Sequence, residues 1–97
     1  MKQIAILGST GSIGSQALDV IEKHSDEYSV YALTANNNVE LLIEQAKKFQ
    51  PDTVVIANEN HYQRLCEALK DLPIKVYAGS DAINQIVTAD PIDIVLA

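Results

Sequence analysis

One cysteine, Cys66, is all the thiol that this 97-residue chain carries. A lone cysteine closes no internal disulfide and builds no thiolate zinc site, which agrees with a reducing compartment. Basic residues are scarce as well: seven Lys and Arg stand against thirteen Asp and Glu, a net charge of −6. That balance opposes general binding to nucleic acid or to an anionic membrane surface, where cationic side chains supply most of the affinity. An anionic ligand would have to be held by backbone geometry. Long apolar runs are missing too. The longest, Val54-Val55-Ile56-Ala57 and Ile94-Val95-Leu96-Ala97, are a few residues, against the ~20 that a membrane-crossing helix needs. The short apolar run between Met1 and Gly8 has no small-residue cleavage site after it, so it reads as a strand and not a signal peptide, and the expected location is the cytoplasm. Catalytic groupings are equally wanting. No paired carboxylates, Ser/His/Asp set or Tyr-x-x-x-Lys pair can be assembled, and His24 and His61 have no second ligand at metal spacing, so no catalytic or metal residue is expected here.

What the chain does have is the composition of an ordinary globular domain, 47% hydrophobic and 21% charged. Five apolar runs rich in Val, Ile, Tyr and Thr alternate with four amphipathic stretches, predicting βαβαβαβαβ around a parallel sheet. The strands are expected at Gln3 to Leu7, Ser29 to Ala35, Thr53 to Ala57, Ile74 to Ala78 and Ile92 to Ala97. Between them, Ser12 to His24 places Ile13, Ala17, Leu18 and Ile21 on one face. Asn38 caps a stripe of Val39, Leu42, Ile43, Ala46 and Phe49 that Pro51 ends. Asn60, three residues before Gln63, suggests a capping box for Tyr62, Leu65, Cys66 and Leu69, and Ser80 opens Ile83, Ile86 and Val87. Cys66 reads as a small core residue. The acids Asp19, Glu22, Glu40, Glu44, Glu59, Glu67 and Asp71 read as solvent-facing charge. The fold class is therefore α/β, a doubly wound Rossmann-like sheet, with strand order 3-2-1-4-5 expected from right-handed crossovers. Because the chain stops on an apolar strand, it is expected to be an incomplete part of a longer protein.

Three of the four glycines, Gly8, Gly11 and Gly14, fall between the first strand and the first helix. The order strand, glycine turn, helix gives a GxxGxxG variant of the dinucleotide-binding turn its meaning. Gly8 lets the chain leave the strand, Gly11 lets backbone approach a pyrophosphate, and Gly14 lets helix and strand pack closely. Free N–H groups around Thr10 to Ile13 at the positive end of the helix make an anion site without a lysine, and the hydroxyls of Ser9, Thr10 and Ser12 add donors. No Gly-Lys-Ser/Thr follows, which excludes a P-loop. NAD-binding units place Asp or Glu at the end of the second strand to hold the ribose 2′-hydroxyl. Here that position reads Asn36-Asn37-Asn38, whose amides can donate to a 2′-phosphate, so NADP(H) is favoured. The same asparagines also suit turn and cap chemistry.

The run Gly8-Ser9-Thr10-Gly11-Ser12-Ile13-Gly14, continued by Leu18-Asp19-Val20-Ile21, resembles the amino terminus of the 1-deoxy-D-xylulose 5-phosphate reductoisomerase family. Leu33-Thr34-Ala35-Asn36-Asn37-Asn38-Val39 and Pro91-Ile92-Asp93-Ile94-Val95-Leu96-Ala97 extend the resemblance over the chain. It implies an NADPH-binding domain over residues 1–97, with Thr10, Gly11, Ser12 and Ile13 at the pyrophosphate and Asn36, Asn37 and Asn38 on the adenosine side. The family often carries a basic residue where Asn37 stands. For the complete protein it implies isomerisation and NADPH reduction of a phosphosugar to 2-C-methyl-D-erythritol 4-phosphate, a divalent metal (Mg²⁺ or Mn²⁺) and a homodimer. The metal and substrate residues would lie beyond Ala97. Two other readings stay open: an NADP enzyme of the semialdehyde dehydrogenase type, and a dinucleotide-sensing module without catalysis.

Overall fold

A computed structural model describes all residues, 1–97, as one five-stranded parallel sheet with helices on both faces. The chain runs β1 (Lys2–Ile6), α1 (Ser12–Lys23), β2 (Tyr28–Ala35), α2 (Val39–Phe49) and β3 (Thr53–Ile56). A single 3-10 turn, Glu59–His61, leads into α3 (Tyr62–Leu69), followed by β4 (Lys75–Ala78), α4 (Ser80–Val87) and β5 (Ile94–Leu96). Every pairing is parallel. The doubly wound α/β class read from the alternation is the fold, and no helix is long and apolar enough to cross a membrane.

The strand order differs from expectation. It is β4-β3-β2-β1-β5, not 3-2-1-4-5, so the reversal comes after the fourth strand instead of the third. The cause is written in β4, whose Lys75 and Tyr77 are exposed while Val76 and Ala78 are half-buried. In the expected order β4 would lie between β1 and β5, covered on both faces and apolar throughout, whereas this alternation suits the edge it occupies. Right-handed crossovers then place α1, α2 and α3 on one face, and α4 returns the chain across the other face to the far side of β1.

Two cores of unequal size follow. On the first face Ile4, Ile6, Val30, Leu33, Val54 and Ile56 meet Leu18 and Ile21 of α1, Leu42 and Ala46 of α2, and Leu65 and Leu69 of α3. On the second, Ala5, Ala32 and Val55 are covered by Ile86. A register shift lets Ile4 pair with Val30 but Ala5 with Ala32, so one extra residue of β2 is absorbed between them.

Several side chains depart from their expected places. Ile13 is 74% exposed rather than core, because the buried stripe of α1 runs through Gly14, Leu18 and Ile21 and Ile13 lies one step round the helix from it. Tyr62 is exposed and Cys66 only half-buried, since α3 turns Leu65 and Leu69 to the sheet. The cap before α3 is Asn58, not Asn60: its side chain accepts from the Asn60 N–H at 3.0 Å and starts the 3-10 turn. Asn38 does cap α2, accepting from Leu41 N–H at 3.2 Å. His24 is exposed and His61 half-buried, and the seven acids above are all exposed.

Candidate functional site

The glycine turn leaves β1 at the carboxyl edge of the sheet, where β1 lies between β2 and β5 and the strand order reverses. Open α/β sheets bind ligands in this place. Leu7 donates its N–H to Leu96 of β5 (2.8 Å), and Gly8 and Ser9 donate theirs to the Thr34 hydroxyl (3.0 Å) and carbonyl (2.8 Å) in β2. The turn is therefore tied to both neighbours of its strand.

Each glycine has a separable cause. Gly8 has φ +75°, a left-handed conformation that side chains with a Cβ disfavour. At Gly14 a Cβ would come 2.4 Å from the Gly8 carbonyl oxygen and 2.6 Å from Ser9 Cα, so helix and turn pack at a separation that only glycine allows. Gly11 needs no unusual backbone: its φ is −79°, and a Cβ would meet only the Gly8 carbonyl oxygen, at 3.4 Å. What Gly11 leaves clear is the exposed side of the turn.

The first intrahelical bond of α1 runs from Ser15 N–H to Gly11 carbonyl, 2.9 Å. The N–H groups of Thr10, Ser12 and Ile13 bond to nothing within the chain. No side chain caps α1, and no acid stands in its first turn. The contrast with α2 is direct, since there Asn38 caps the helix and Glu40 sits in the first turn. An uncapped, positively polarised helix end with free amides accepts the oxygens of a phosphate group without any lysine. The hydroxyls of Thr10 and Ser12, half-buried and exposed, remain available beside it.

Ser9 does not join them, contrary to the sequence reading. It is fully buried, and its hydroxyl donates to Gln45 Oε1 at 2.7 Å. Gln45 Nε2 in turn donates to the Ser9 carbonyl at 2.8 Å, and the Ser15 hydroxyl reaches the same carbonyl at 3.3 Å. Ser9 shapes the turn from behind. Sequence reasoning missed its partners Thr34 and Gln45, although a glutamine on the buried side of α2, next to Leu42 and Ala46, was the available signal.

Asn36, Asn37 and Asn38 are exposed at the end of β2, two residues past Thr34, so the structure brings both expected site segments to one edge. Asn38 is used by its cap. Asn37 Oδ1 accepts from Asn58 Nδ2 at 2.8 Å, which leaves the Asn37 amide N–H groups as donors, and the Asn36 side chain is free. Asn58, at the end of the next strand, also donates its N–H to the Asn36 carbonyl at 2.9 Å and went unnoticed in the sequence. No carboxylate occupies the end of β2. The acid that follows in α2, Glu40, is held by Arg64 through two hydrogen bonds of 2.9 Å. That hydrogen-bonded guanidinium keeps the Glu40 carboxyl below its ordinary pKa. The charge of Glu40 is thus balanced by Arg64, while Glu59, next to Asn58, is exposed and has no ion-pair partner.

Beside the free amides an apolar groove of about 210 Å³ is lined by Ile6, Leu7, Ile13, Ala17 and Leu96. The exposed Ile13 belongs to this groove, next to the polar cradle. No three His, Cys, Asp or Glu side chains come together as a metal site.

Comparison with known proteins supplies the context. The family model described as 1-deoxy-D-xylulose 5-phosphate reductoisomerase matches residues 4–97. Curated proteins of that name from Phocaeicola vulgatus and Bacteroides thetaiotaomicron are 73% identical over 96 residues and 74% over 95, covering 99% and 98% of this chain. The chain spans only about a quarter of their length, 25% and 24%. Among solved structures, the reductoisomerase from Zymomonas mobilis in complex with NADPH superposes with a TM-score of 0.83 at 43% identity, covering 87% of this chain and 22% of that one. A reductoisomerase in complex with NADPH, fosmidomycin and magnesium gives 0.93 at 30% identity, covering 98% and 24%.

Proposed function

The chain belongs to the 1-deoxy-D-xylulose 5-phosphate reductoisomerase family, and from that premise we propose that residues 1–97 form the amino-terminal, incomplete NADPH-binding domain of such an enzyme. Membership sets aside the semialdehyde dehydrogenase and sensing-module readings. The observation that carries the proposal is the uncapped start of α1, with free amides at Thr10, Ser12 and Ile13 behind a turn packed against Gly14.

The residues fit the dinucleotide in two places. Thr10, Gly11, Ser12 and Ile13 receive the pyrophosphate, while Gly8 and Gly14 set the turn that aims them. Asn36 and Asn37 donate amide N–H groups on the adenosine side, where the missing carboxylate favours a 2′-phosphate over a free 2′-hydroxyl. Asn38 contributes through its backbone and fixes the start of α2. When bound, NADPH supplies the hydride that reduces the rearranged substrate. This chain's part is to hold the cofactor's phosphates. Catalytic groups, the divalent metal (Mg²⁺ or Mn²⁺) and its ligands, and the phosphosugar contacts are assigned to the remaining three quarters of such a protein. The complete protein, on this reading, is a cytoplasmic homodimer that converts 1-deoxy-D-xylulose 5-phosphate to 2-C-methyl-D-erythritol 4-phosphate in isoprenoid biosynthesis, and binds neither nucleic acid nor membrane.

Gly11→Val provides the test. Its φ of −79° is open to any residue, so folding should survive while two methyl groups enter the space above the free amides. NADPH titration of the complete protein should show tight binding, weaker binding of NADH, and loss of both in a variant that still melts cooperatively, its melting temperature lowered by no more than a few degrees. Undiminished NADPH affinity in the folded variant refutes the site.

A further inference from the structure

The buried face of α2 carries one residue that an apolar core does not explain. Gln45 is 8% exposed and sits among Leu42, Ile43 and Ala46. It makes a reciprocal pair with Ser9: the Ser9 hydroxyl donates to Oε1 at 2.7 Å and Nε2 donates to the Ser9 carbonyl at 2.8 Å. Ser9 immediately precedes Thr10, the first residue with a free amide, and is also held by Thr34 of β2 and Ser15 of α1. No buried side-chain polar atom is left without a partner. A packing contact at this point would be met by a leucine or methionine of similar length. A carboxamide adds direction, because both hydrogen bonds are satisfied at only one position of the turn relative to α2.

We propose that Gln45 is a positioning residue for cofactor binding: acting through Ser9, it fixes the turn so that the Thr10, Ser12 and Ile13 amides are aimed before the pyrophosphate arrives. The inference rests on the NADPH-binding reading above. It places a determinant of cofactor affinity on the second helix, outside the glycine motif and without contact to the ligand. Rigid preorganisation lowers the ordering cost of binding, so its loss should appear in cofactor affinity and spare the chemical step.

The test uses the complete protein and two variants. Gln45→Met keeps the length of the side chain and removes both hydrogen bonds. The expected result is a Kd and KM for NADPH raised about tenfold, the scale of two lost hydrogen bonds, with kcat at saturating cofactor unchanged. Affinity for 2′-AMP, which reaches only the asparagine side, should stay at the parent value. Gln45→Glu gives a pH signature. As a neutral acid the new side chain accepts from the Ser9 hydroxyl and donates to its carbonyl, reproducing both bonds; ionised, it accepts only and faces that carbonyl. NADP⁺ affinity relative to the parent should therefore be near normal at low pH and fall as pH rises, with the midpoint lifted by burial. Asp19 of α1 and Glu44 and Lys48 of α2 line the same cleft and are present in parent and variant alike, so the ratio isolates residue 45. Parent-like NADPH affinity in Gln45→Met, or equal losses for NADPH and 2′-AMP, overturns the proposal, and so does a flat pH ratio in Gln45→Glu should the Met variant fail to fold. If Gly11→Val abolishes NADPH binding while these variants do not, only the role of Gln45 falls; if Gly11→Val also binds normally, the site itself is wrong.

Discussion

Replacing glycine by alanine inside a helix ordinarily stabilises it by about 0.5–1 kcal/mol. At Gly14 the sign should reverse. The new methyl would sit 2.4 Å from the Gly8 carbonyl oxygen and 2.6 Å from Ser9 Cα, both backbone atoms, where ordinary contact begins at 3.4 Å. Relief requires α1 and the turn to separate by about 1 Å, a gap that already forfeits a quarter to a half of each dispersion contact across it. Neither side yields freely. Leu18 and Ile21 anchor the helix at 3% and 5% exposure, and Ser9 is tied to three other elements. Overpacking of this kind costs about 1–3 kcal/mol or more, which outweighs the gain in helix propensity. Thermal and urea melts followed by circular dichroism should show Gly14→Ala melting on the order of 10 °C below the parent. The other two glycines supply an internal scale. Gly8→Ala meets no atom but keeps φ +75°, costing about 1–2 kcal/mol. Gly11→Ala, with φ −79° and a nearest contact of 3.4 Å, should cost less than about 1 kcal/mol. A Gly14→Ala protein as stable as the parent, or less perturbed than Gly11→Ala, would refute the close-packing argument.

Asn36→Asp places a carboxylate where a 2′-phosphate is proposed to lie, so the ratio of NADPH to NADH affinity should fall about tenfold or more from like-charge repulsion; competition titration at fixed salt checks this, and an unmoved ratio detaches Asn36 from the 2′ position. Glu40 titrates below its usual range because of its hydrogen bonds to Arg64. Whatever stability that pair contributes is full above the ordinary carboxylate pKa and disappears as pH falls through the lowered one. Arg64→Ala should return the Glu40 midpoint, read by side-chain carbon-13 NMR, to the ordinary range, and a midpoint that stays low contradicts the pairing.

Alternation and caps were legible in the sequence because they are local. The five strands, α1 and α2 fall within a few residues of their expected places, and Asn38 caps as its position suggests. What escaped was decided by partners far along the chain. Ser9 looks like a ligand hydroxyl until Gln45, 36 residues on, is folded against it. Asn58 becomes part of the site only because β3 lies beside β2, bringing it to Asn36 and Asn37. Ile13 lies on the apolar side of a helical wheel, yet α1 buries the stripe through Gly14 instead. Strand order carried a signal in the alternation of Lys75, Val76, Tyr77 and Ala78, outweighed by the commoner arrangement.

The pairing of β1 with β5 sets the sequence of events in folding. From β1 to β4 each strand joins the one before it, so the sheet can extend outward as short crossovers close. β5 is different. It must return to the first strand made, with Gln3 N–H to Asp93 Oδ2 and Asp93 N–H to Gln3 carbonyl, both 2.8 Å, at a separation of 90 residues. Such long closures are slow, because chain entropy is lost before the contact repays it. On a ribosome, one edge of β1 stays unpaired until residues 94–96 have emerged, and Leu7, next to the glycine turn, lacks its acceptor on Leu96 for the same interval. The anion cradle begins with the first strand made, but it is finished by the last strand of this sheet to join.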